Sequence, residues 1–282
     1  MAHTNWGVTA VRTLIKSKHK ILHVYTHPMN MDKHEKSWYE SVKEECERNN
    51  IPVTERTKLT EEDSRSIRTL SPDIIFSVNW RRLIPKSIFE IPKHRTLNIH
   101  AGALPKYRGY APIHWAMING EKNAVVTVHY VDESADTGDI VLQKKVPIEI
   151  KDDIISTYNK ALALAPELIL KSLSLIESGK VRPINQKNKK GFFCGRRFPE
   201  DGRINWMEEL IEVYNLIRAS SDPFPNAFCF HNNKKIHVKR VELVSDDVRG
   251  VPGRICVIRN DGVIVTCGNN HKKNQALLIT EI

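Results

Sequence analysis

The chain has no hydrophobic run near the ~20 residues a membrane span requires. Its first twenty residues, MAHTNWGVTAVRTLIKSKHK, show neither the charged start, the apolar stretch nor the small-residue cleavage site of a secretory leader. A cytoplasmic, membrane-free protein is expected. Cysteine is scarce: Cys46, Cys194, Cys229, Cys256 and Cys267 are the only five in 282 residues. Their spacing forms no C-x-x-C pair and no Cys/His zinc pattern, so reduced thiols and no metal site are expected. A glycine-rich phosphate cradle and a G-x-S-x-G nucleophile elbow are also missing, which removes two large enzyme classes.

What is present is positive charge. Lys and Arg number 43 against 33 Asp and Glu, a formal net charge of +10, which suggests an anionic partner: a phosphorylated small molecule or RNA. A hydrophobic content of 40% and a charged content of 27% are those of a globular protein with a sizeable core.

Along the first half, helical and strand patterns alternate. GVTAVRTLIKS reads as a helix, KILHVYTH as a strand, residues 37–50 as a helix and SPDIIFSVNW as a short buried strand. RTLNIHA is the next strand, and APIHWAMING a helix with Pro112 in its first turn. This rhythm predicts an α/β domain, a mostly parallel twisted sheet flanked by helices, with ligands beyond the carboxyl ends of the strands. Pro166 should divide the helical run from about residue 153 to 179. The basic, polar stretch VRPINQKNKKG then reads as a linker, and short strands beyond it suggest a small barrel-like domain of OB type. The expected division is a catalytic domain over residues 1–181, a linker over 182–194 and a β-rich domain over 195–282. Such an α/β domain usually opens on a buried strand; here a turn-like heptapeptide precedes the first helix, so either the numbering begins late or the first strand is absent.

The most informative stretch is TLNIHAGALPKYRGYAPIHWA. Residues i and i+2 of a strand share a face, so Asn98 and His100 project to one side just before the loop. An amide can hold a developing oxyanion and an imidazole can exchange protons near neutral pH, a pairing suited to acyl transfer. The following residues 101–120 contain no carboxylate to orient the histidine. Asp132, Glu133, Asp136 and Asp139 cluster in VDESADTGDI, and Asp136, flanked by small residues, could approach a ligand closely.

These segments resemble a known family. LNIHAGALPKYRGYAPIHWAMING followed by VTVHYVDESADTGDIVLQ is similar to the paired signatures of the formyltransferases that use 10-formyltetrahydrofolate, among them the methionyl-tRNA, glycinamide ribonucleotide and sugar-nucleotide enzymes. The upstream LSPDIIFSVNWRRLIP and the downstream FCGRRFPEDGRINW and SDPFPNAF extend the likeness, above all toward enzymes that formylate UDP-4-amino-4-deoxy-L-arabinose. The resemblance implies that His100 moves protons, Asn98 stabilises the transition state and Asp136 raises the histidine pKa. It also implies a pterin held between Arg82, Leu83 and Ile84 on one side and Asp132, Glu133, Ser134, Ala135 and Asp136 on the other.

Expected substrate contacts are Lys106, Tyr107, Arg108 and Tyr110 in the loop and Arg196 and Arg197 beyond the linker; arginine's planar fork suits phosphate. Tyr110 stands where the arabinose-type enzymes carry arginine. The acceptor expected is the amine of a nucleotide-linked amino sugar, with methionyl-tRNA as the alternative and a non-catalytic RNA-binding relative as a third reading. A homodimer is the expected assembly.

Overall fold

The structure, a computed structural model, describes residues 1–29, 38–187, 189–268 and 275–282. It divides into two compact units that interleave along the chain: Met1–Gly109, Val125–Val146 and Asn159–Phe193 form the first, and Tyr110–Ala124, Pro147–Tyr158 and Cys194–Ile282 the second. Two pieces of the expected 1–181 domain therefore belong with the C-terminal unit.

The chain opens on α1 (Thr4–Ile15), followed by β1 (Val24–Thr26), α2 (Val42–Arg48), β2 (Val53–Glu55), α3 (Glu61–Leu70), β3 (Ile75–Val78), α4 (Lys86–Phe89) and β4 (Thr96–His100). Residue 37, the expected start of the second helix, lies outside the described residues. Next come β5 (Arg108–Gly109), α5 (Pro112–Ile118), β6 (Asn123–Tyr130), β7 (Ile140–Pro147), α6 (Ile154–Leu162) and α7 (Ala165–Glu177). Pro166 sits in the first turn of α7 and separates it from α6. Its missing N–H costs nothing there, where no intrahelical acceptor exists. Helix α3 starts where it does because the Thr60 hydroxyl and the Asp63 carboxylate each satisfy the other residue's backbone N–H.

The main sheet of the first unit has the order β3-β4-β6-β7. It is mixed rather than mostly parallel: β3 and β4 run parallel, β4 and β6 antiparallel. Leu97 and Val128, fully buried, fill its inner face.

Met1 to His3 lie beside β3: the Ala2 N–H donates to the Tyr25 carbonyl at 2.9 Å, and the Val78 N–H to the Met1 carbonyl at 2.9 Å. The terminal amine donates to the Phe76 carbonyl at 2.8 Å, and burial pushes its pKa down to about 5. A cavity of about 640 Å³ continues past it, lined by Met1, Val24, Tyr25, Ile67, Ile75 and Phe76 among others. Residues 20–23, expected as the start of a strand, line this cavity instead of pairing.

After β8 (Phe193–Cys194), which straddles the division between the units, the second unit is built on α8 (Leu210–Arg218) with six strands after it: β9 (Ala227–His231), β10 (Lys234–Val238), β11 (Arg240–Leu243), β12 (Ile255–Arg259), β13 (Gly262–Thr266) and β14 (Ala276–Glu281). The strands form an antiparallel sheet of order β11-β14-β13-β12 and a β9–β10 hairpin. Val213, Tyr214 and Ile217 of α8 bury against Ala227, Val238, Val265 and Leu277. Each large aliphatic side chain so buried contributes about 1.5–3 kcal/mol.

Candidate active site

Strand β4 is internal to its sheet, so its last residues are held by neighbours on both sides. The register sets Asn98 opposite His129 and His100 opposite Thr127. Directly opposed residues share a face, so four polar side chains gather at one strand end. The loop after His100 folds back over the ring. Any side chain at Gly102 would begin 2.5 Å from His100 Nε2 and 2.7 Å from the Tyr107 carbonyl, so glycine is required there. The Thr127 hydroxyl donates to the Gly102 carbonyl at 2.6 Å, and the Gln143 amide to the Leu104 carbonyl at 2.9 Å, which fixes the loop.

Asp136 is brought in by the β6–β7 connection. Its backbone sits in the left-handed region, φ 55°, a cost of order 1 kcal/mol or more that the surrounding contacts must offset. One carboxylate oxygen accepts from the Gly109 N–H at 2.9 Å and lies 3.5 Å from His100 Nδ1. The other accepts from Asn98 Nδ2 at 3.3 Å and lies 3.3 Å from His129 Nε2. Burial alone would raise this carboxyl's pKa, but the facing rings of His100 and His129 and the Gly109 N–H outweigh it and hold Asp136 ionised, well below the usual carboxylate range.

His100 is shifted the other way. Burial lowers its pKa, and Asp136 and the Tyr107 carbonyl only partly restore it, so the ring is neutral near pH 7. Nε2 donates to the Tyr107 carbonyl at 2.6 Å, so the neutral ring carries its proton there and keeps Nδ1, facing Asp136, as the basic nitrogen. His129 Nδ1 lies 2.7 Å from the Tyr130 carbonyl, and its Nε2 lies 3.1 Å from Asn98 Nδ2 and 3.3 Å from Asp136 Oδ1. Asn98 thus donates one amide hydrogen to Asp136 and lies beside His129.

The structure thus brings Asn98, His100 and Asp136 together and adds His129, buried to 2% exposure, which the sequence reading missed. Other expected residues divide. Lys106 is exposed, whereas the Tyr107 ring is buried edge-on against Phe192. Arg108 gives its Nε and Nη2 to Gln186 Oε1 at 3.2 and 2.8 Å. Tyr110, Arg196 and Arg197 fall in the second unit. Tyr110 is 54% exposed, and Arg196 is exposed over the Phe198 ring. Arg197 spans from the Trp115 face to the Ser220 hydroxyl and the Asp201 carbonyl. It serves as an internal brace of that unit.

Of the residues expected around a pterin, Arg82 and Leu83 are exposed and the Ile84 side chain is packed in the core. Asp132 closes its own loop through the Ser134 N–H and the Thr137 hydroxyl, while Glu133 and Ser134 are exposed and Ala135 half-buried. The two segments are neighbours: Lys86 Nζ lies 2.8 Å from Glu133 Oε1, and Val131 packs with Ile84 in one cluster.

The formyl transferase family signature matches residues 2–173, and that of the formyl transferase C-terminal domain matches residues 197–282. The chain belongs to the formyl transferase family. This formyltransferase is 32% identical over 272 residues to the methionyl-tRNA formyltransferase of Alkaliphilus oremlandii, covering 96% of the chain and 87% of that protein. It is 34% identical over 269 residues to the bifunctional polymyxin resistance protein ArnA of Wigglesworthia glossinidia brevipalpis, covering 94% of the chain but 40% of that protein. The N-formyltransferase of Helicobacter canadensis, crystallised with folinic acid and dTDP-3-aminofucose, superposes with a TM-score of 0.74 at 23% identity over 99% of the chain and 98% of that structure. That last likeness is one of fold. Among the described residues there is no cluster of groups able to hold a metal ion and no helix long and apolar enough to cross a membrane.

Proposed function

We propose that the enzyme transfers the formyl group of 10-formyltetrahydrofolate to the primary amine of a nucleotide-linked amino sugar, at the cluster of Asn98, His100 and Asp136. The observation that carries the reaction is a buried neutral imidazole flanked by an ionised carboxylate and an amide at one strand end.

The folate donor fits the chain's own residues. Leu83 is an aliphatic side chain left 64% exposed, which a flat pterin would cover. The buried indole Nε1 of neighbouring Trp80 has no hydrogen-bond partner, an unmet donor of the kind a ligand acceptor satisfies. Backbone of residues 82–84, between the Arg81 N–H held by His27 and the Pro85 carbonyl held by Ile88 and Phe89, lies outside any helix or strand and is placed for edge contacts. When bound, the folate supplies a formyl carbon open to attack.

The protein residues then handle charge and protons. An amine attacks only when neutral, and His100 Nδ1 takes up the proton the amine releases. The imidazolium so formed lies against Asp136, whose charge favours it, and can return a proton to the departing nitrogen. As charge grows on the formyl oxygen, Asn98 redirects one of its amide hydrogens to it. A single such donor contributes about 3 kcal/mol in other acyl-transfer sites.

The sugar acceptor is supported by the identity with ArnA and by the GRRFPEDGRINW segment, residues 195–206. A specific observation favours methionyl-tRNA as the second reading. Lys187, Lys189 and Lys190 are exposed with no acidic residue between positions 178 and 199, Phe192 and Phe193 are exposed beside them, and the likeness to methionyl-tRNA formyltransferase runs the length of the chain. Basic residues interleaved with aromatics are a recurrent nucleic-acid surface. The deciding experiment offers 10-formyltetrahydrofolate with methionyl initiator tRNA and, separately, with a panel of UDP, dTDP and GDP amino sugars, and follows a mass gain of one formyl group. Formylation of a sugar and not of the tRNA supports the first reading; tRNA alone replaces it with the second.

A further inference from the structure

Gln186 lies in a segment whose composition reads as a tether, yet its side chain is 3% exposed. Its amide makes four contacts to two segments distant in sequence. Oε1 accepts from Arg108 Nε and Nη2 at 3.2 and 2.8 Å, while Nε2 donates to the carbonyls of Asp136 and Gly138 at 3.0 and 2.6 Å. The orientation is forced, because a guanidinium can only donate and a carbonyl can only accept. Both acceptor sites and both hydrogens of the amide are used.

The two segments so joined are those that face the two nitrogens of His100. Arg108 follows Tyr107, whose carbonyl holds Nε2 at 2.6 Å; Asp136 faces Nδ1 at 3.5 Å. The neighbours of Gln186 continue the clamp. Ile184 exchanges two backbone hydrogen bonds with Ile140, at 2.9 and 2.8 Å, and Asn185 Nδ2 donates to Asp139 Oδ1 at 2.7 Å. Three consecutive residues therefore stitch down the loop that presents Asp136 in its left-handed backbone conformation.

We propose that Gln186 is a positioning residue that sets the spacing between Asp136 and His100, and with it the proton affinity of the imidazole during formyl transfer. This rests on the assignment of His100 and Asp136 as the proton-handling pair. The carboxylate's influence falls with distance, so a loop released from the amide weakens it without removing it. The most telling substitution is Gln186→Glu. It is isosteric and keeps an acceptor for Arg108, but it turns a carboxylate oxygen toward two carbonyls and loses both donated bonds. Gln186→Asn, which keeps both polar functions on a shorter stem, is the milder companion should Gln186→Glu fold poorly.

The test is the pH dependence of kcat for formyl transfer in wild type, Asp136→Asn, Gln186→Glu and Gln186→Asn, each corrected for folded fraction by thermal melting. The expected result is an acidic limb displaced to lower pH in both Gln186 variants. Its position falls between wild type and Asp136→Asn, with kcat reduced roughly 5- to 50-fold, a modest fraction of what loss of a general acid–base group costs. A role confined to holding the fold would lower the melting temperature and leave the limb in place, and that outcome overturns the proposal. If wild type and Asp136→Asn share one limb, the proton-handling assignment itself fails and the inference falls with it. If those two differ while the Gln186 variants track wild type, only the inference about Gln186 fails.

Discussion

Replacing Asp136 by Asn removes one charge from a site where its distances are known. The carboxylate lies 3.5 Å from His100 Nδ1. At an effective dielectric constant of ~20, opposite charges at that spacing attract by at most about 5 kcal/mol. The Gly109 N–H and the Asn98 amide share the same carboxylate, which places the effect in the ~1–3 pKa units typical of such neighbours, or about 1.4–4 kcal/mol. Asp136 favours the protonated ring, so its loss lowers the His100 pKa further than burial already does. The acidic limb of kcat against pH must then move to lower pH by ~1–3 units. The imidazolium formed during transfer loses the same stabilisation, so kcat falls roughly 10- to 1000-fold. Asparagine can still accept from Gly109 through its carbonyl, but its NH2 faces the NH2 of Asn98, and melting curves measured alongside separate that clash from catalysis. Steady-state formyl transfer from pH 5 to 9 is the assay. A variant with reduced kcat but the wild-type limb would refute the role given to Asp136.

Acid should destabilise the protein through two histidines, buried His3 and half-buried His114. His3 and His114 are each pushed down to about 3, chiefly by burial and secondarily by neighbouring positive charge. Each stays neutral when folded but binds a proton below about 6.5 when unfolded. Their contribution is full above that pH and is lost as pH falls toward 3, by up to about 1.4 kcal/mol per pH unit per group. His114 packs edge-on to Phe224 with ring centroids 4.5 Å apart, so His114→Phe should flatten the fall in stability between pH 7.5 and 5 in urea titrations; an unchanged slope counts against this cause. The cavity beside Met1 yields a different expectation. Extending the chain upstream of Met1 by four to six β-branched apolar residues should fill it and pair with β1 and β3. Each buried side chain contributes ~1.5–3 kcal/mol against ~1–2 kcal/mol of backbone ordering, so the melting temperature should rise by several degrees. No rise would show that the cavity cannot accept a strand.

Asn98 and His100 were legible in the sequence because both lie on one strand, where a spacing of two guarantees a shared face. Asp136 needed more, since its approach depends on a turn, and the family resemblance supplied what the spacing could not. His129 was hidden for a physical reason. It stands beside Asn98 only because β6 runs antiparallel to β4 in the register that opposes them, and strand direction is not written in either strand alone. Gln186 was hidden by its surroundings: lysines and asparagines around it suggest a solvated tether, and only the four partners of its amide explain its burial. Arg108 was expected at the substrate; its Nε and Nη2 donate to Gln186, a partner that no local pattern names. Pro166 was read correctly as a helix divider because that effect is local. Met1 to His3, expected to be turn-like, make backbone hydrogen bonds to Tyr25 and Val78, a pairing that no local pattern announces.

The account stands most directly on His100. His100→Ala should lower kcat for formyl transfer from 10-formyltetrahydrofolate by ~100- to 10,000-fold, with donor binding and the melting temperature close to wild type. Transfer within tenfold of wild type by a folded His100→Ala protein would contradict the central claim that this buried imidazole moves the proton.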